Sequence, residues 1–329
     1  MSEPKPLRNW QPDRNLGMEL VRATEAAAIR ATPWVGRGNK NAADGAAVDA
    51  MRGFLSTVSM NGVVVIGEGE KDEAPMLFNG EQVGNGDGAE CDVAVDPIDG
   101  TQLTADGRPG ALSVIAVADR GSMYDPSAVF YMNKLVVGPE GVGVVDIRKP
   151  MGENVRALAK VKGVDVSEIQ VAVLDRPRHE QLIAEIREAG AGVRLILDGD
   201  VAGGVNAARF DSRVDMCAGI GGTPEGVITA CAVKALGGQI QGQLWPTSPA
   251  ERERALDAGH DLDAILDQDD LVRSDNAYFV ATGITPAEFV NGVKPVGGKF
   301  VRTESVVMRS HSGTIRHVVS DMLIDRWND

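Results

Sequence analysis

The chain is poor in aromatic side chains and has no long uninterrupted apolar run. Aromatic residues make up 4% of its 329 residues, whereas apolar residues as a whole make up 43%. Small apolar side chains and 39 glycines must therefore form most of the core, which is typical of layered α/β proteins. Because no apolar run reaches about 18 residues, the sequence predicts no membrane-spanning helix.

Cysteine is also scarce. The three cysteines, Cys91, Cys217 and Cys231, are far apart and have neither a CxxC pair nor the spacing of a metal site. We interpret them as small buried apolar residues of a protein in a reducing cytoplasm. Residues 1–15 are polar, contain proline and lack an apolar segment, so they predict a flexible tail rather than a secretory signal.

Positive charge is in deficit. The chain has 33 Lys and Arg residues against 47 Asp and Glu residues, which gives a formal net charge of −14. Such a surface repels nucleic acids and anionic membranes, so neither is expected as a partner. It also repels phosphorylated small molecules, and a phosphate site therefore needs bound divalent cations or local arginines to offset the negative field.

The most informative segment that is present is Asp-Pro-Ile-Asp-Gly-Thr, which begins at Asp96 after an alternating, strand-like segment. We interpret it as a turn that follows the strand. The carboxylates of Asp96 and Asp99 and the carbonyl of Ile98 can present hard oxygen ligands to Mg²⁺ or Mn²⁺. Gly100 and Thr101 can open a helix, whose first N–H groups favour a phosphate. Metal ligands beside such a helix indicate phosphoryl chemistry.

A second acidic cluster, formed by Glu68, Glu70 and Asp72, follows a predicted strand over residues 63–66. Three carboxylates so close together repel one another unless cations lie among them. Taken alone, the cluster is typical of a solvated acidic loop. Because ligands of open α/β sheets gather at the carboxyl ends of strands, we expect this cluster and Asp96 to meet at one sheet edge.

Strands alternate with helices along the chain, which indicates a parallel or mixed sheet. Helices are predicted over residues 18–31, 46–58, 178–189, 201–208 and 225–236. Strands are predicted over residues 63–66, 92–95, 112–118, 170–174, 193–197, 216–220 and 278–282, with a strand pair over 135–137 and 143–145.

Together these motifs resemble the bacterial class II fructose-1,6-bisphosphatases, within the lithium-sensitive, metal-dependent phosphatases. The matching stretches follow the order of that family from about residue 15 to about residue 320. They comprise residues 34–38, 40, 44–47, 65–70, 72–77, 96–101, 176–179, 198–202, 221–226 and 281–283.

The resemblance implies an α/β protein with the layered αβαβα sugar-phosphatase fold in two α/β halves: a metal-binding half over residues 16–165 and a sugar-phosphate-binding half over residues 166–329. It implies two or more Mn²⁺ or Mg²⁺ ions, a sugar bisphosphate as substrate, a homo-oligomer and inhibition by lithium. The implied metal ligands are Asp44, Glu68, Asp96, Asp99 and Glu225. The implied substrate contacts are Asp99, Gly100, Thr101, Tyr131, Arg176, Arg178, Asp198, Asp200 and Gly222, and the implied catalytic residues are Asp72, Glu70, Thr101 and Lys40.

These residue types suit the implied reaction, the hydrolysis of fructose 1,6-bisphosphate to fructose 6-phosphate and phosphate in gluconeogenesis. Arginine binds phosphate oxygens bidentately, and Asp198 and Asp200 can accept hydrogen bonds from sugar hydroxyls. A metal-activated water is expected to attack the phosphorus, oriented by Thr101 with Glu70 or Asp72. The sequence does not decide which of these two carboxylates is the general base.

Several alternatives stay open. Sedoheptulose 1,7-bisphosphate, as sole or second substrate, and an inositol phosphate are rival substrates, and a non-catalytic sugar-phosphate sensor is a rival class. Taken singly, Arg176 and Arg178 are typical of surface arginines, Glu225 of a helix first turn and Asp44 of a helix N-cap. His179 is interpreted as a polar residue at a helix start. The choice between Mn²⁺ and Mg²⁺, and any effectors, are not given by the sequence.

Overall fold

The computed structural model describes residues 16–69 and 76–326. The predicted tail over residues 1–15 lies outside the described residues. The helices in the described part are α1 Leu16–Ala31, α2 Lys40–Leu55, α3 Thr101–Asp106, α4 Met151–Lys162, α5 Glu180–Glu188, α6 Val201–Ala208, α7 Thr223–Leu236, α8 Pro249–Asp257 and α9 Gln268–Leu271. The strands there are β1 Met60–Ile66, β2 Gln82–Val83, β3 Ala89–Asp99, β4 Leu112–Asp119, β5 Tyr131–Val137, β6 Gln170–Leu174, β7 Gly192–Ile196, β8 Met216–Gly222, β9 Gln239–Leu244, β10 Leu266–Asp267, β11 Tyr278–Gly283, β12 Lys294–Gly297, β13 Phe300–Arg309 and β14 Thr314–Leu323.

The first sheet has eight strands in the order β12-β13-β11-β4-β3-β1-β2, and β14 pairs with β13. β1 and β3 are parallel, with Val64 opposite Val93, whereas β3 and β4 are antiparallel. Because two parallel strands end at the same edge of a sheet, Glu68 after β1 and Asp96 near the end of β3 lie on that edge. The predicted meeting of the two acidic segments is confirmed for these residues.

The second sheet has six strands in the order β10-β9-β5-β8-β6-β7. β6 is parallel to both β7 and β8, and β5 is antiparallel to β8 and β9. Both sheets are therefore mixed, as the alternation of helices and strands predicts.

Three apolar cores join five layers. The first core lies between the pair α1 and α2 and the first sheet and includes Leu20, Met51 and Ile115. The middle core packs α6 and α7 between the two sheets, and the third packs α4 and α5 on the outer face of the second sheet. Small side chains such as Ala23 and Ala27, both fully buried, allow α1 to pack closely. The αβαβα layering is confirmed, and no described helix is long and apolar enough to cross a bilayer.

Some element boundaries differ from the sequence-based prediction. α2 begins six positions before residue 46, at Lys40, because the Asn39 side chain accepts a hydrogen bond from Ala42 N and caps the helix. The strand predicted over residues 143–145 is wrong: these residues form a turn, and β5 pairs instead with β8 and β9. The elements that were not predicted are the helices α4, α8 and α9 and the strands β2, β9, β10, β12, β13 and β14.

Sheet membership also cuts across the predicted halves. The first sheet takes β1 to β4 from the N-terminal part and β11 to β14 from the C-terminal part, whereas β5 to β10 form the second sheet. The division into two domains at residue 165 stays a prediction. The second sheet does not start at that boundary, since its first strand, β5, begins at Tyr131.

Candidate active site

A cavity of about 280 Å³ opens where strand ends of both sheets meet. Its walls come from the ends of β3 and β8, the starts of α3 and β5, and the loops after β6 and β7. The predicted site residues that line it are Asp96, Asp99, Gly100, Thr101, Tyr131, Arg176, Arg178, Asp198, Asp200, Gly222 and Glu225.

The Asp-Pro step lies inside β3 rather than in a turn after the strand, which corrects the sequence-based interpretation. The register against β4 shifts between Asp96 and Asp99, so the residues between them form a bulge that accommodates Pro97 without a donor. The Asp96 carboxylate accepts a hydrogen bond of 3.1 Å from Ile98 N. Gly100, with a φ of 90°, then turns the chain into α3. The bulge thus directs both carboxylates into the cavity.

Burial and mutual repulsion raise the pKa values of the carboxylates in the cavity. The pKa values of Asp96 and Asp99 are well above their usual range, through burial first and then through neighbouring carboxylates. Burial also raises the pKa of Glu225, and the charge of Asp200 adds to this shift. Asp99 Oδ2 and Glu225 Oε2 are buried and have no hydrogen-bond partner within the described part of the chain. Such atoms are costly to bury, and a divalent cation would satisfy both.

Asp44 and Glu68 adjoin this group without lining the cavity. Asp44 lies beside the Thr101 hydroxyl, and burial raises its pKa. It lies within α2, which Asn39 caps, so the interpretation of Asp44 as an N-cap is wrong. Glu68 is exposed to solvent as a residue, but desolvation of its carboxyl by the surrounding protein raises its pKa to about 7, and Asp44 adds to this shift. Lys40 is exposed at the start of α2.

The donor set fits a hard divalent cation. Carboxylate oxygens are the ligands that Mg²⁺ and Mn²⁺ prefer, and the unpartnered oxygens of Asp99 and Glu225 are available. Within residues 16–69 and 76–326, no three Asp, Glu, His or Cys side chains lie close enough together to hold a metal ion. Mutual repulsion between carboxylates favours such a separation. The ligand set stays a prediction. Glu70 and Asp72 lie outside the described residues.

The arginines on the opposite side are held in fixed orientations. Arg176 donates from Nη1 to Leu197 O at 2.6 Å and from Nη2 to Asp198 Oδ1 at 3.1 Å. Arg178 donates from Nη2 to Ile220 O at 2.8 Å. Its guanidinium also lies over the Tyr131 ring, 5.2 Å from the ring centroid. These contacts distinguish both residues from freely moving surface arginines.

Two aspartates join the acidic and basic sides. Asp198 pairs with Arg176 and accepts a hydrogen bond of 3.0 Å from Gln102 N. One N–H group at the predicted phosphate-binding helix start is therefore already occupied. Asp200 forms an ion pair of 2.6 Å with Lys134 Nζ, and both side chains are more than nine-tenths buried.

Sequence reasoning missed two residues of this region. Lys134 belongs to no recognised motif. The one sequence signal for it is that a charged residue stands within an otherwise apolar strand. His179 is buried: its Nδ1 lies 2.7 Å from Leu174 O, and its Nε2 accepts a hydrogen bond of 2.7 Å from Ile220 N. Burial lowers the pKa of His179, so the neutral ring with its proton on Nδ1 satisfies both contacts. The interpretation of His179 as a residue at a helix start is confirmed, because it is the N-cap residue of α5, and the structure adds that its ring joins the end of β6 to β8.

The cavity can therefore bind a ligand that carries two anionic groups. Its acidic side suits a phosphate bridged by cations, and its basic side suits a phosphate bound directly by arginine. Asp198 lies beside Arg176 and Asp200 lies near Asp99 and Glu225, and hydroxyl groups of a polyol could donate to both.

Comparisons with known proteins agree with this chemistry. Residues 14–322 match the family model described as bacterial fructose-1,6-bisphosphatase, glpX-encoded. The chain is 43% identical to fructose-1,6-bisphosphatase 1 class 2 of Escherichia coli K12 over 95% of this chain and 96% of that protein, and equally similar to the class 2 enzyme of Shigella flexneri. A solved structure described as an extragenic suppressor from Pyrococcus furiosus matches 59% of this chain and 68% of its own, with 14% identity and a TM-score of 0.29. That structural likeness is too low to support a conclusion.

Proposed function

The chain belongs to the bacterial fructose-1,6-bisphosphatase family, and from this premise we propose that its cavity hydrolyses fructose 1,6-bisphosphate to fructose 6-phosphate and phosphate. It is a class 2 fructose-1,6-bisphosphatase, which is a phosphoric monoester hydrolase, and it acts in gluconeogenesis. The observation that carries the proposal is one cavity that joins unsatisfied carboxylates, Asp99 and Glu225, to oriented arginines, Arg176 and Arg178.

The two phosphates are assigned to opposite sides of the cavity. The 1-phosphate lies beside Asp99, Gly100 and Thr101, where the scissile bond is cleaved. The distal phosphate lies against Arg176 and Arg178. Arg178 is oriented by a carbonyl and an aromatic ring, neither of which neutralises its charge, so that charge is available to phosphate.

The sugar lies between the two phosphates. Asp198 and Asp200 accept hydrogen bonds from its hydroxyls, and Tyr131 and Gly222 border it. Because Asp198 also contacts the start of α3 and Arg176, it fixes the spacing between the two phosphate subsites. That spacing distinguishes a bisphosphate from a monophosphate.

Enzymes of class 2 are metal-dependent, and we assign two or more Mg²⁺ or Mn²⁺ ions to Asp44, Glu68, Asp96, Asp99 and Glu225. When bound, such ions lower the pKa of a water ligand and stabilise charge on phosphoryl oxygens. Thr101 donates its hydroxyl to Ile98 O at 3.2 Å and lies beside Asp44, which holds it at the scissile side.

The proton of the attacking water passes to a carboxylate, Asp72 or Glu70. The charge of Lys40 acts on Asp44, which supports a role in orienting this side of the cavity. Inhibition by Li⁺ is expected through competition for the metal ligands.

Phosphate release tests the proposal. The purified chain is assayed with fructose 1,6-bisphosphate, sedoheptulose 1,7-bisphosphate and inositol 1-phosphate, each with Mn²⁺ or Mg²⁺ and with a chelator. Metal-dependent release that is fastest from the fructose ester is expected. Faster release from another ester would keep the mechanism and replace the substrate, with the sedoheptulose ester as the second activity that we test for. No release from any ester would favour a sugar-phosphate sensor.

We further propose a cytoplasmic homo-oligomer. The described cysteines are free and buried, in accord with a reducing compartment. β14 is a ten-residue edge strand, and its Val319 is 59% exposed. Long edge strands need cover, and a second copy would supply it. Light scattering of the wild type and of Val319→Lys tests this: a wild-type monomer would refute it.

A further inference from the structure

The structure assigns a role to Lys134, a residue of β5 that none of the matched motifs contains. We propose that Lys134 is a positioning residue that holds the Asp200 carboxylate for recognition of the substrate's sugar hydroxyls. The inference rests on the proposed function and names a determinant of its substrate specificity.

The first step concerns the two oxygens of Asp200. Its Oδ2 is bound by Lys134 Nζ at 2.6 Å. Its Oδ1 is buried and has no hydrogen-bond partner among residues 16–69 and 76–326, and Asp200 lines the cavity. A buried acceptor without a partner is costly, so this oxygen is suited to a donor that arrives with the ligand. A sugar hydroxyl is such a donor, whereas a phosphate dianion is not.

The second step concerns the charge of the pair. The side chains of Lys134 and Asp200 are 7% and 9% exposed, so neither charge is solvated well. Without Lys134, Asp200 would be an uncompensated buried carboxylate beside Glu225 and Asp99. Burial without a partner would favour an orientation in which the carboxylate turns away from the cavity, and this change removes the acceptor from the sugar.

The third step concerns the backbone around the pair. Lys134 Nζ also donates to Gly222 O at 2.9 Å, which ties β5 to the turn between β8 and α7. A Cβ on Gly221 would lie 1.9 Å from Asp200 Oδ2 and 2.9 Å from Lys134 Nζ. The chain thus leaves space for the ion pair at the end of β8, and Gly221 offers a way to move Asp200 without changing Lys134.

The experiment compares Lys134→Met with a matched control, Lys234→Met. Lys234 is a lysine of α7 whose side chain is also 7% exposed and pairs with an aspartate, Asp269, away from the cavity. Binding of fructose 6-phosphate and of inorganic phosphate is measured by calorimetry on the metal-loaded protein, together with kcat and KM for fructose 1,6-bisphosphate.

For Lys134→Met we expect the Kd of fructose 6-phosphate and the KM to rise about 10- to 100-fold. The Kd of inorganic phosphate should change less than about threefold. Lys234→Met should bind both ligands like the wild type, although it melts earlier. In an Asp200→Asn background, Lys134→Met should add little, because both changes remove the same acceptor arrangement.

Equal weakening of fructose 6-phosphate and phosphate binding, or no change in either, would overturn the inference. If Lys134→Met does not fold, Gly221→Ala takes its place, because the clash displaces only the end of a side chain. The same split between the two ligands is expected for it, and an unsplit loss would count against the inference. Failure of the wild type to hydrolyse fructose 1,6-bisphosphate would instead refute the proposed function.

Discussion

The two sides of the cavity differ in how far the protein itself provides partners for their charged groups. On the acidic side, burial and then neighbouring carboxylates raise the pKa values of Asp96, Asp99 and Glu225. Asp99 and Glu225 each have one oxygen without a hydrogen-bond partner among the described residues. On the basic side, Arg176 and Arg178 are bound by carbonyls, a carboxylate and an aromatic ring. The acidic side thus retains acceptors that an added group can use, whereas protein groups already occupy the donors of the basic side.

This difference predicts different kinetic roles for the two sides. The proposed cations relieve the electrostatic repulsion among the carboxylates of the acidic side, so substitutions of these carboxylates should mainly change turnover. A side that is already hydrogen-bonded pays little to order itself when ligand binds, so its residues should control affinity. Substitutions on the two sides should therefore affect kcat and KM differently.

The largest effect is expected from Asp96→Asn. The substitution keeps the shape of the side chain and an oxygen to accept from Ile98 N, but it removes a negative charge from the acidic side. We expect kcat for fructose 1,6-bisphosphate to fall at least about 100-fold at saturating metal. Asp106→Asn, at the exposed end of α3, is the control. Turnover that survives in Asp96→Asn at saturating metal would remove Asp96 from the proposed ligand set.

The second effect is on the basic side. Replacing Arg176 and Arg178 together by Ala should raise KM for fructose 1,6-bisphosphate about 10- to 100-fold, because the distal phosphate loses its charged donors. A small phosphate monoester without a distal phosphate should lose much less. Arg194→Ala, which breaks a surface ion pair with Glu288, is the control. Equal losses on both substrates would place the arginines outside the distal subsite.

The contrast between the sides also explains what the sequence could predict. Asp96 and Asp99 follow from one short motif, because a local bulge presents them. Arg176 and Arg178 came from the family resemblance, since nothing local distinguishes them from surface arginines. Lys134 and His179 were missed because their partners, Asp200 and Ile220, are distant in sequence and meet them only in the folded second sheet.

The fold follows the same rule. α6 and β6 were predicted with correct ends because apolar periodicity and flanking turns are local signals. The wrong strand over residues 143–145 was predicted from a local apolar pattern, but pairing with β5 was decided by β9. A segment's own sequence does not show that a strand far along the chain will take its place beside a neighbouring strand.

A third, smaller effect sharpens the comparison through stability. Because ions that bind only the folded state stabilise it, adding Mn²⁺ or Mg²⁺ to the metal-stripped wild type should stabilise it by about 2.7 kcal/mol at 100 times the Kd. For a chain of 329 residues that is a rise in Tm of roughly 4 °C. Glu225→Gln should lose most of the rise, whereas the double Ala variant of Arg176 and Arg178 should retain it. An unchanged Tm of the wild type would contradict the cation site.

The smallest effect concerns pH and the basic side. His179 accepts from Ile220 N only when neutral, and burial lowers its pKa below the usual 6.5. A histidine with a lowered pKa adds stability above pH 6.5, and that stability is lost as the pH falls toward the lower pKa of the folded state. The Tm of His179→Gln should therefore lie below that of the wild type at pH 7.5, and the difference should shrink as the pH falls below 6.5. The raised pKa values of the buried carboxylates act in both proteins and leave this difference unchanged. His311→Gln, at an exposed turn, should keep the wild-type profile. A Tm difference between His179→Gln and the wild type that does not change with pH would show that the hydrogen bond from Ile220 N does not depend on the neutral ring.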